Sequence, residues 1–264
     1  MMGPYYLYPE TENRMETYLL FLLEDQNKKI MSIKVALITG GSKGIGYGIA
    51  ESLLKNGYKV AITSRSINSA NEAAAKLVEY GDVLAIEADV KNFQSQQGAV
   101  NLVIEKWGQL DALIANAGVG NFAPIDEMDV ELWNDIIDTN LTGVFYSIKA
   151  SVEEIKKTKG SIFTISSLAG TNFFAGGAAY NASKFGLTGF TQSVMLDLRK
   201  YGVKVSTIMP GSVASHFNDH HPDAENDAWK IQPEDMGKLI VDLLAMPART
   251  LPSKVEIRPT TPKG

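Results

Sequence analysis

From residue 33 onward, short β-branched runs alternate with longer segments of helical periodicity, and no other feature of this chain limits its fold as strongly. The runs are IKVALIT (33–39), YKVAIT (58–63), DVLAIEA (82–88) and LDALIAN (110–116), followed by GSIFTIS (160–166), VKVSTIM (203–209) and KVEI (254–257). Helical patterns fill the gaps, for example from Gly46 to Lys55, from Ala70 to Val78 and from about Pro233 to Ala245. A helix between two strands returns the chain by a right-handed crossover, so strict alternation predicts a doubly wound α/β fold with a parallel seven-stranded sheet. At 264 residues and 45% hydrophobic content, the chain can bury a sizeable core as one domain, expected over 31–264. Neither a linker nor an internal repeat interrupts that region.

The N-terminal segment 1–30 does not share the pattern. Its apolar run extends only from Tyr18 to Leu23 between Glu16 and Glu24, with no basic leader. That is too short for a membrane span and wrongly flanked for a secretion signal. The segment reads as a non-native extension with the original start at Met31. The alternative is an amphipathic arm that docks on a partner subunit through Tyr18, Leu19, Phe21 and Leu22. Charges of both signs are mixed along the chain, and a formal net charge of −5 gives none of the basic footprint that nucleic-acid binding requires. Zero cysteines exclude disulfides and thiol chemistry and fit a reducing, cytoplasmic compartment.

In a doubly wound sheet, ligands bind beyond the carboxyl ends of the strands. The loop after the first run is TGGSKGIG, Thr39 to Gly46. Glycines at a strand-to-helix turn let the backbone approach a pyrophosphate, whose charge is met by free amides and the positive end of the helix. The same glycines can also serve only as a tight turn. The second run ends ITSRS, Ile62 to Ser66, and no carboxylate follows before Glu72. An NAD-preferring fold usually places an acidic residue here for the ribose hydroxyl. Ser64, Ser66 and the Arg65 guanidinium stand there instead, with Lys43 in the glycine loop, and an arginine fork matches a phosphate dianion. The cofactor inferred is NADP(H), and the domain is then Rossmann-type. The plainer alternative makes Arg65 and Lys43 solvated surface charges.

With TGGSKGIG near the start and YNASK at Tyr180 to Lys184, the sequence resembles the short-chain dehydrogenase/reductase family. The resemblance covers about Ile33 to Thr260 and includes ANAG (Ala115 to Gly118), where the family has NNAG. It implies cofactor contacts from Gly40, Ser42, Lys43, Gly44, Ile45 and Gly46 in the glycine loop. Ser64 and Arg65 would follow at the 2′-phosphate, Asp89 and Val90 at the adenine, and Asn116, Ala117 and Gly118 beyond the fourth strand. Pro210, Gly211, Val213 and Ser215 would grip the nicotinamide amide, with Ser215 standing where a threonine is frequent. The implied catalytic set is Asn140, Ser167, Tyr180 and Lys184, at spacings of 27, 13 and 4 residues.

A free phenol, with pKa of about 10, is poorly matched to proton transfer near neutrality. Residues i and i+4 share a helix face, so the Lys184 ammonium is expected to favour the Tyr180 phenolate, assisted by the positive charge of an oxidised nicotinamide. Ser167 would hydrogen-bond the substrate carbonyl and stabilise the charge that builds there. The resemblance further implies that Lys184 reaches the nicotinamide ribose. It gives Asn140, on a long helix, the task of holding a relay water.

The expected activity is NADPH-dependent reduction of a carbonyl, or the reverse oxidation of a secondary alcohol. Alternatives of the same chemistry are 3-oxoacyl thioesters, sugars or polyols, and pterin-like carbonyls. An alternative of another class is a non-catalytic NADP(H)-binding sensor. The short polar segment SHFNDHHPDAENDAWKIQ (215–232) reads as a lid over an open pocket walled by Val119, Phe122, Phe173, Phe174, Phe217 and Trp229. His216, His220 and His221 near Asp219 and Asp223 lack metal-ligand spacing, so no metal is expected. The acceptor-like NLT at Asn140 and NAS at Asn181 are read as chance matches to a glycosylation motif. The helical stretches from about Glu127 to Lys156 and from Ala178 to Tyr201 are the surfaces through which the family forms homodimers or homotetramers.

Overall fold

A computed structural model describes residues 33–262, so the N-terminal segment 1–30 lies outside the described residues. The elements follow one another as β1 (Val35–Ile38), α1 (Gly44–Lys55), β2 (Lys59–Ser64), α2 (Ile67–Leu77), β3 (Val83–Glu87), α3 (Phe93–Trp107) and β4 (Ala112–Ala115). The second half continues with α4 (Val130–Ile137), α5 (Gly143–Thr158), β5 (Ser161–Ile165), α6 (Ala178–Leu198), β6 (Lys204–Pro210), α7 (Pro233–Leu244) and β7 (Lys254–Ile257). All seven strands pair in parallel in the order β3-β2-β1-β4-β5-β6-β7. The chain winds outward in both directions from β1, so the crevice of such a sheet lies between β1 and β4.

The central strands are buried on both faces, as continuous apolar runs in a parallel sheet require. Successive side chains point to opposite sides, and this period of two divides the core. Leu37, Leu113 and Ile162 pack under α3, α5 and α6 through Val103, Ile155 and Leu187. Ile38, Ile114 and Phe163 pack under α1, α2 and α7 through Leu53, Leu77 and Ile240. Each fully buried aliphatic side chain contributes about 1.5–3 kcal/mol relative to an exposed one. At the amino ends, Asp111 locks the register of three strands. Its Oδ2 accepts from Val35 N at 2.8 Å, its N–H donates to Val35 O at 2.8 Å, and its carbonyl accepts from Ser161 N at 2.8 Å.

Most helices begin with side-chain caps. Ser66 accepts from Ser69 N, Asn92 from Ser95 N and Asp129 from Leu132 N, and Gln232 and Asp235 close a capping box on α7. Helices α1, α5 and α6 begin with neither a side-chain cap nor an acidic group in the first turn, and of these α1 is the one that follows directly on the glycine loop.

The long helix expected from about Glu127 to Lys156 is instead α4 and α5 separated by a π turn, Asp138–Thr142. The extra residue in that turn directs Asn140 inward, where both ends of its side chain are hydrogen-bonded. The Ala178 to Tyr201 stretch is helical throughout, ending in a short 3₁₀ turn from Arg199 to Tyr201. No helix among the described residues is long and apolar enough to cross a membrane.

Candidate active site

The loops leaving β1 to β6 open on one cavity of about 1130 Å³. Gly40, Ser42, Lys43, Gly44 and Ile45 line it at the start of α1. The uncapped amides of that helix end are therefore free for an anionic ligand. The loop is held from behind by β4. Asn116 Nδ2 donates to Thr39 O at 2.9 Å and Gly40 O at 3.0 Å, and Thr39 Oγ1 accepts from the amides of Asn116 and Ala117. Gly46 does not line the cavity; a Cβ there would lie 2.4 Å from Gly40 O and 2.5 Å from Asn116 Nδ2. It shapes the loop by letting the chains approach.

Ser64 and Arg65 line the cavity at the end of β2, together with Lys43, while Ser66 turns away to cap α2. Asp89 and Val90 line it after β3. The Asp89 carboxylate accepts from Lys91 N at 2.9 Å and its carbonyl from Gln96 Nε2 at 3.1 Å, which fixes that turn. Two hydroxyls that sequence reasoning missed lie here. Thr63 Oγ1 and Thr139 Oγ1 are buried with no hydrogen-bond partner among the described residues, and both residues line the cavity. Buried hydroxyls left unpaired are costly, so a polar ligand fits this wall. With the free helix end, Lys43 and Arg65, the donor set fits an elongated ligand carrying several phosphate charges. Thr139 adjoins Asn140 in DTN, but nothing in that triplet alone distinguishes a wall residue from a buried neighbour.

Ser167, Tyr180 and Lys184 converge on the same cavity. Ser167 follows β5, and its Oγ accepts from Ala169 N at 3.1 Å to cap a short turn. Tyr180 is 8% exposed and hydrogen-bonded to Ser167. One helical turn along, Lys184 is 4% exposed, and its Nζ donates to Ile165 O at 3.0 Å.

Without cofactor, burial dominates the electrostatics of this pair. Burial pushes the Tyr180 phenol up to about 12, and the Ser167 hydrogen bond is what draws it down. Burial also lowers Lys184 to about 8. The ammonium points at a backbone carbonyl and lies 5.6 Å from the Tyr180 ring centre, so desolvation of both groups outweighs their attraction.

Asn140 is fully buried and does not line the cavity. Its Nδ2 donates to Val119 O at 2.9 Å and Ser183 Oγ at 3.1 Å, and its Oδ1 accepts from Val119 N at 2.8 Å. The side chain clasps the loop after β4 to α6, directly behind the tyrosine and lysine.

Ala117, Gly118, Pro210, Gly211, Val213 and Ser215 also line the cavity. Val213 bridges to Ile231, and Ala214 N donates to Ile231 O at 2.9 Å, so the lid is stitched at both ends. Between them Asp227, 4% exposed, pairs with Lys230 at 2.6 Å and His220 at 2.5 Å and accepts from Asp223 N at 3.1 Å. Hydrogen bonds from the Lys230 ammonium, the His220 ring and the Asp223 amide hold the carboxyl well below its ordinary range. The lid is thus ordered by an ion-pair cluster that no sequence periodicity announces. Among the described residues, no group of three His, Cys, Asp or Glu is placed to hold a metal ion. All six expected wall residues line the cavity, although Phe173 is largely exposed.

Lys184 carries a pH signature. Its folded value lies below its ordinary 10.5, so the folded state releases the proton first and stability rises as pH climbs from about 8 to 10.5. At about 1.4 kcal/mol per pKa unit, the stability of Lys184→Met relative to the parent should fall by about 2–3 kcal/mol between pH 7 and 10. Urea unfolding at the two pH values measures this; a pH-independent difference would contradict it.

Residues 34–226 match the short chain dehydrogenase family. A trans-4-hydroxycyclohexanecarboxylate dehydrogenase of Sinomonas cyclohexanicum is 37% identical over 68% of this chain and 72% of its own length. A 3-oxoacyl-[acyl-carrier-protein] reductase of Synechocystis sp. is 34% identical over 72% of this chain and 78% of its own. The structure of an alcohol dehydrogenase from Thermococcus sibiricus, complexed with 5-hydroxy-NADP, aligns at TM-score 0.83 and 26% identity, covering 88% of this chain and 99% of that one. The chain belongs to the short-chain dehydrogenase family and is an oxidoreductase of alcohol and carbonyl groups.

Proposed function

We propose that the protein is an NADPH-dependent carbonyl reductase, equivalently an NADP-dependent secondary-alcohol dehydrogenase, with Tyr180 as its general acid-base. The observation that carries this reading is the Tyr180 hydroxyl, buried and hydrogen-bonded to Ser167, on the same cavity as the uncapped start of α1. The Thermococcus sibiricus relative, bound to an NADP derivative, supports the cofactor.

Arg65 and Lys43 would hold the 2′-phosphate, the start of α1 the pyrophosphate, and Asp89 and Val90 the adenine. Pro210 to Ser215 would hold the nicotinamide amide, with Lys184 on its ribose. NADPH, when bound, supplies the hydride.

Ser167 and Tyr180 hydroxyls receive the substrate oxygen from one side, so negative charge builds where two donors already stand. Tyr180, neutral across the physiological range in this pocket, gives its proton to that oxygen as the C–H bond forms. The buried Lys184 ammonium stabilises the phenolate left behind, and Asn140 keeps the loop and helix that carry the pair together. The unpartnered Thr139 and Thr63 hydroxyls would find partners on the bound cofactor.

A second reading keeps the chemistry and changes the substrate to a 3-oxoacyl thioester, as the name of the Synechocystis relative suggests. The complete tyrosine, serine and lysine set argues against a non-catalytic sensor. Pairing of subunits through α5 and α6 belongs to the same proposal. Phe145, Phe185 and Leu196 stand exposed on those helices, and a monomer by light scattering at micromolar concentration would count against it.

Fluorescence titration with NADPH and NADH, followed by turnover on a ketone and thioester panel, tests the proposal. Tyr180→Phe should keep NADPH binding and lose about 10²–10⁴-fold in turnover. Arg65→Glu should weaken NADPH by about tenfold to a hundredfold while sparing NADH. Full turnover in Tyr180→Phe, or equal losses for both cofactors in Arg65→Glu, would contradict it.

A further inference from the structure

We propose that the substrate of this site is a ketone whose carbonyl lies in, or directly beside, a six-membered carbocyclic ring; the proposal rests on the reductase reading above. Three phenylalanines from three separate segments form one cluster beside Tyr180: Phe122 after β4 and Phe217 in the lid touch its ring, and Phe174 after β5 packs on Phe122. The Phe122 and Tyr180 ring centres are 5.5 Å apart at 84°, and those of Phe122 and Phe174 are 5.2 Å apart at 83°. Phe217 lies 5.5 Å from Tyr180 and 6.4 Å from Phe122, tilted by 57° to both. The walls of the pocket therefore begin within one ring's width of the group that donates the proton.

These rings are held in place. Phe217 lies on the backbone of Gly120, where a Cβ would come within 1.8 Å of its Cζ. Phe174 lies against Gly177, and the loop that carries it is tied down by Asn181, whose Nδ2 donates to Ala169 O at 2.8 Å and Asn172 O at 2.7 Å. The Phe122 loop is joined to the approach to α6 by Ala123 N donating to Gly176 O at 3.0 Å. The NAS triplet at Asn181 thus serves the architecture of this wall.

Although fixed, the three rings remain 40%, 45% and 36% exposed. That is apolar surface held open next to the reacting position, and covering it is favourable in proportion to its area. The substrate oxygen is anchored at Tyr180 and Ser167, so the atoms that cover these rings are the ones attached directly to the carbonyl carbon. A six-membered carbocycle places its C–H edges against aromatic faces at the angles such rings prefer. It does so with almost no internal rotation to freeze, whereas a linear acyl chain of equal size must immobilise several rotors to make the same contacts.

The test compares ketones of equal carbon number, namely cyclohexyl methyl ketone, acetophenone and 2-octanone, alongside a 3-oxobutanoyl thioester, with NADPH saturating. The ring ketones should exceed 2-octanone and the thioester in kcat/KM by about tenfold or more. Phe122→Leu and Phe217→Leu, which keep an apolar side chain but remove the ring, should lower kcat/KM for the ring ketones by about fivefold to tenfold and change 2-octanone less, with the Kd for NADPH unchanged. NADPH oxidation by 2-octanone or the thioester at equal or higher kcat/KM would overturn the ring proposal alone. Equal losses on all ketones in the Leu variants would do the same. Failure of NADPH to bind would overturn the reductase reading and, with it, this one.

Discussion

A lysine ammonium enclosed by protein, with the carbonyl of Ile165 as its hydrogen-bond acceptor, is the constraint on which the rest of this site depends. Ile165 ends the fifth strand, so the acceptor is delivered by the sheet, and the donor by the helix packed across its end. That helix also carries Tyr180, one turn earlier on the same face. The interaction thereby sets the phenol against Ser167, the residue two places beyond Ile165. Desolvation opposes the arrangement, because both the ammonium and a phenolate lose water there. The free energy is recovered from the aliphatic packing on both sides of the parallel sheet, and the site inherits the rigidity of that packing.

Burial also decides the resting protonation state. With the phenol pushed up to about 12 and the amine down to about 8, Tyr180 stands neutral and Lys184 mostly charged near pH 7. A neutral phenol is a proton donor, which suits carbonyl reduction; the reverse direction requires a phenolate. The expectation that Lys184, assisted by an oxidised nicotinamide, favours the phenolate concerns the cofactor-bound site; without cofactor, enclosure dominates. Spacing specified their neighbourhood, and enclosure determined the sign.

The fold was legible because buried parallel strands must be nearly continuous apolar runs and their crossovers must be helices. The seven runs from IKVALIT to KVEI became seven strands whose ends fall within two residues of the runs. The π turn at Asp138–Thr142 was not legible, because it exists to aim Asn140 at a loop 21 residues earlier in the chain. The cavity-facing positions of the glycine loop, Ser64 and Arg65 could be named from their place after strands. Asn140 and Gly46, named for direct roles, do not line the cavity, and the contacts they make lie behind it. Thr63 and Thr139 escaped notice because a hydroxyl's lack of a partner is a property of the folded neighbourhood. Likewise, the ion pairs around Asp227 join residues of the lid whose spacing follows no helix or strand.

The most direct test of this account is the ionisation of Tyr180, followed by ultraviolet difference spectroscopy of the parent protein against Tyr180→Phe, with and without saturating NADP⁺. The account predicts that the phenol of the cofactor-free protein stays protonated until pH approaches about 12, and that NADP⁺ shifts its ionisation downward by adding positive charge beside it. A Tyr180 that already ionises near neutrality without cofactor, or one whose titration NADP⁺ leaves unmoved, would contradict it.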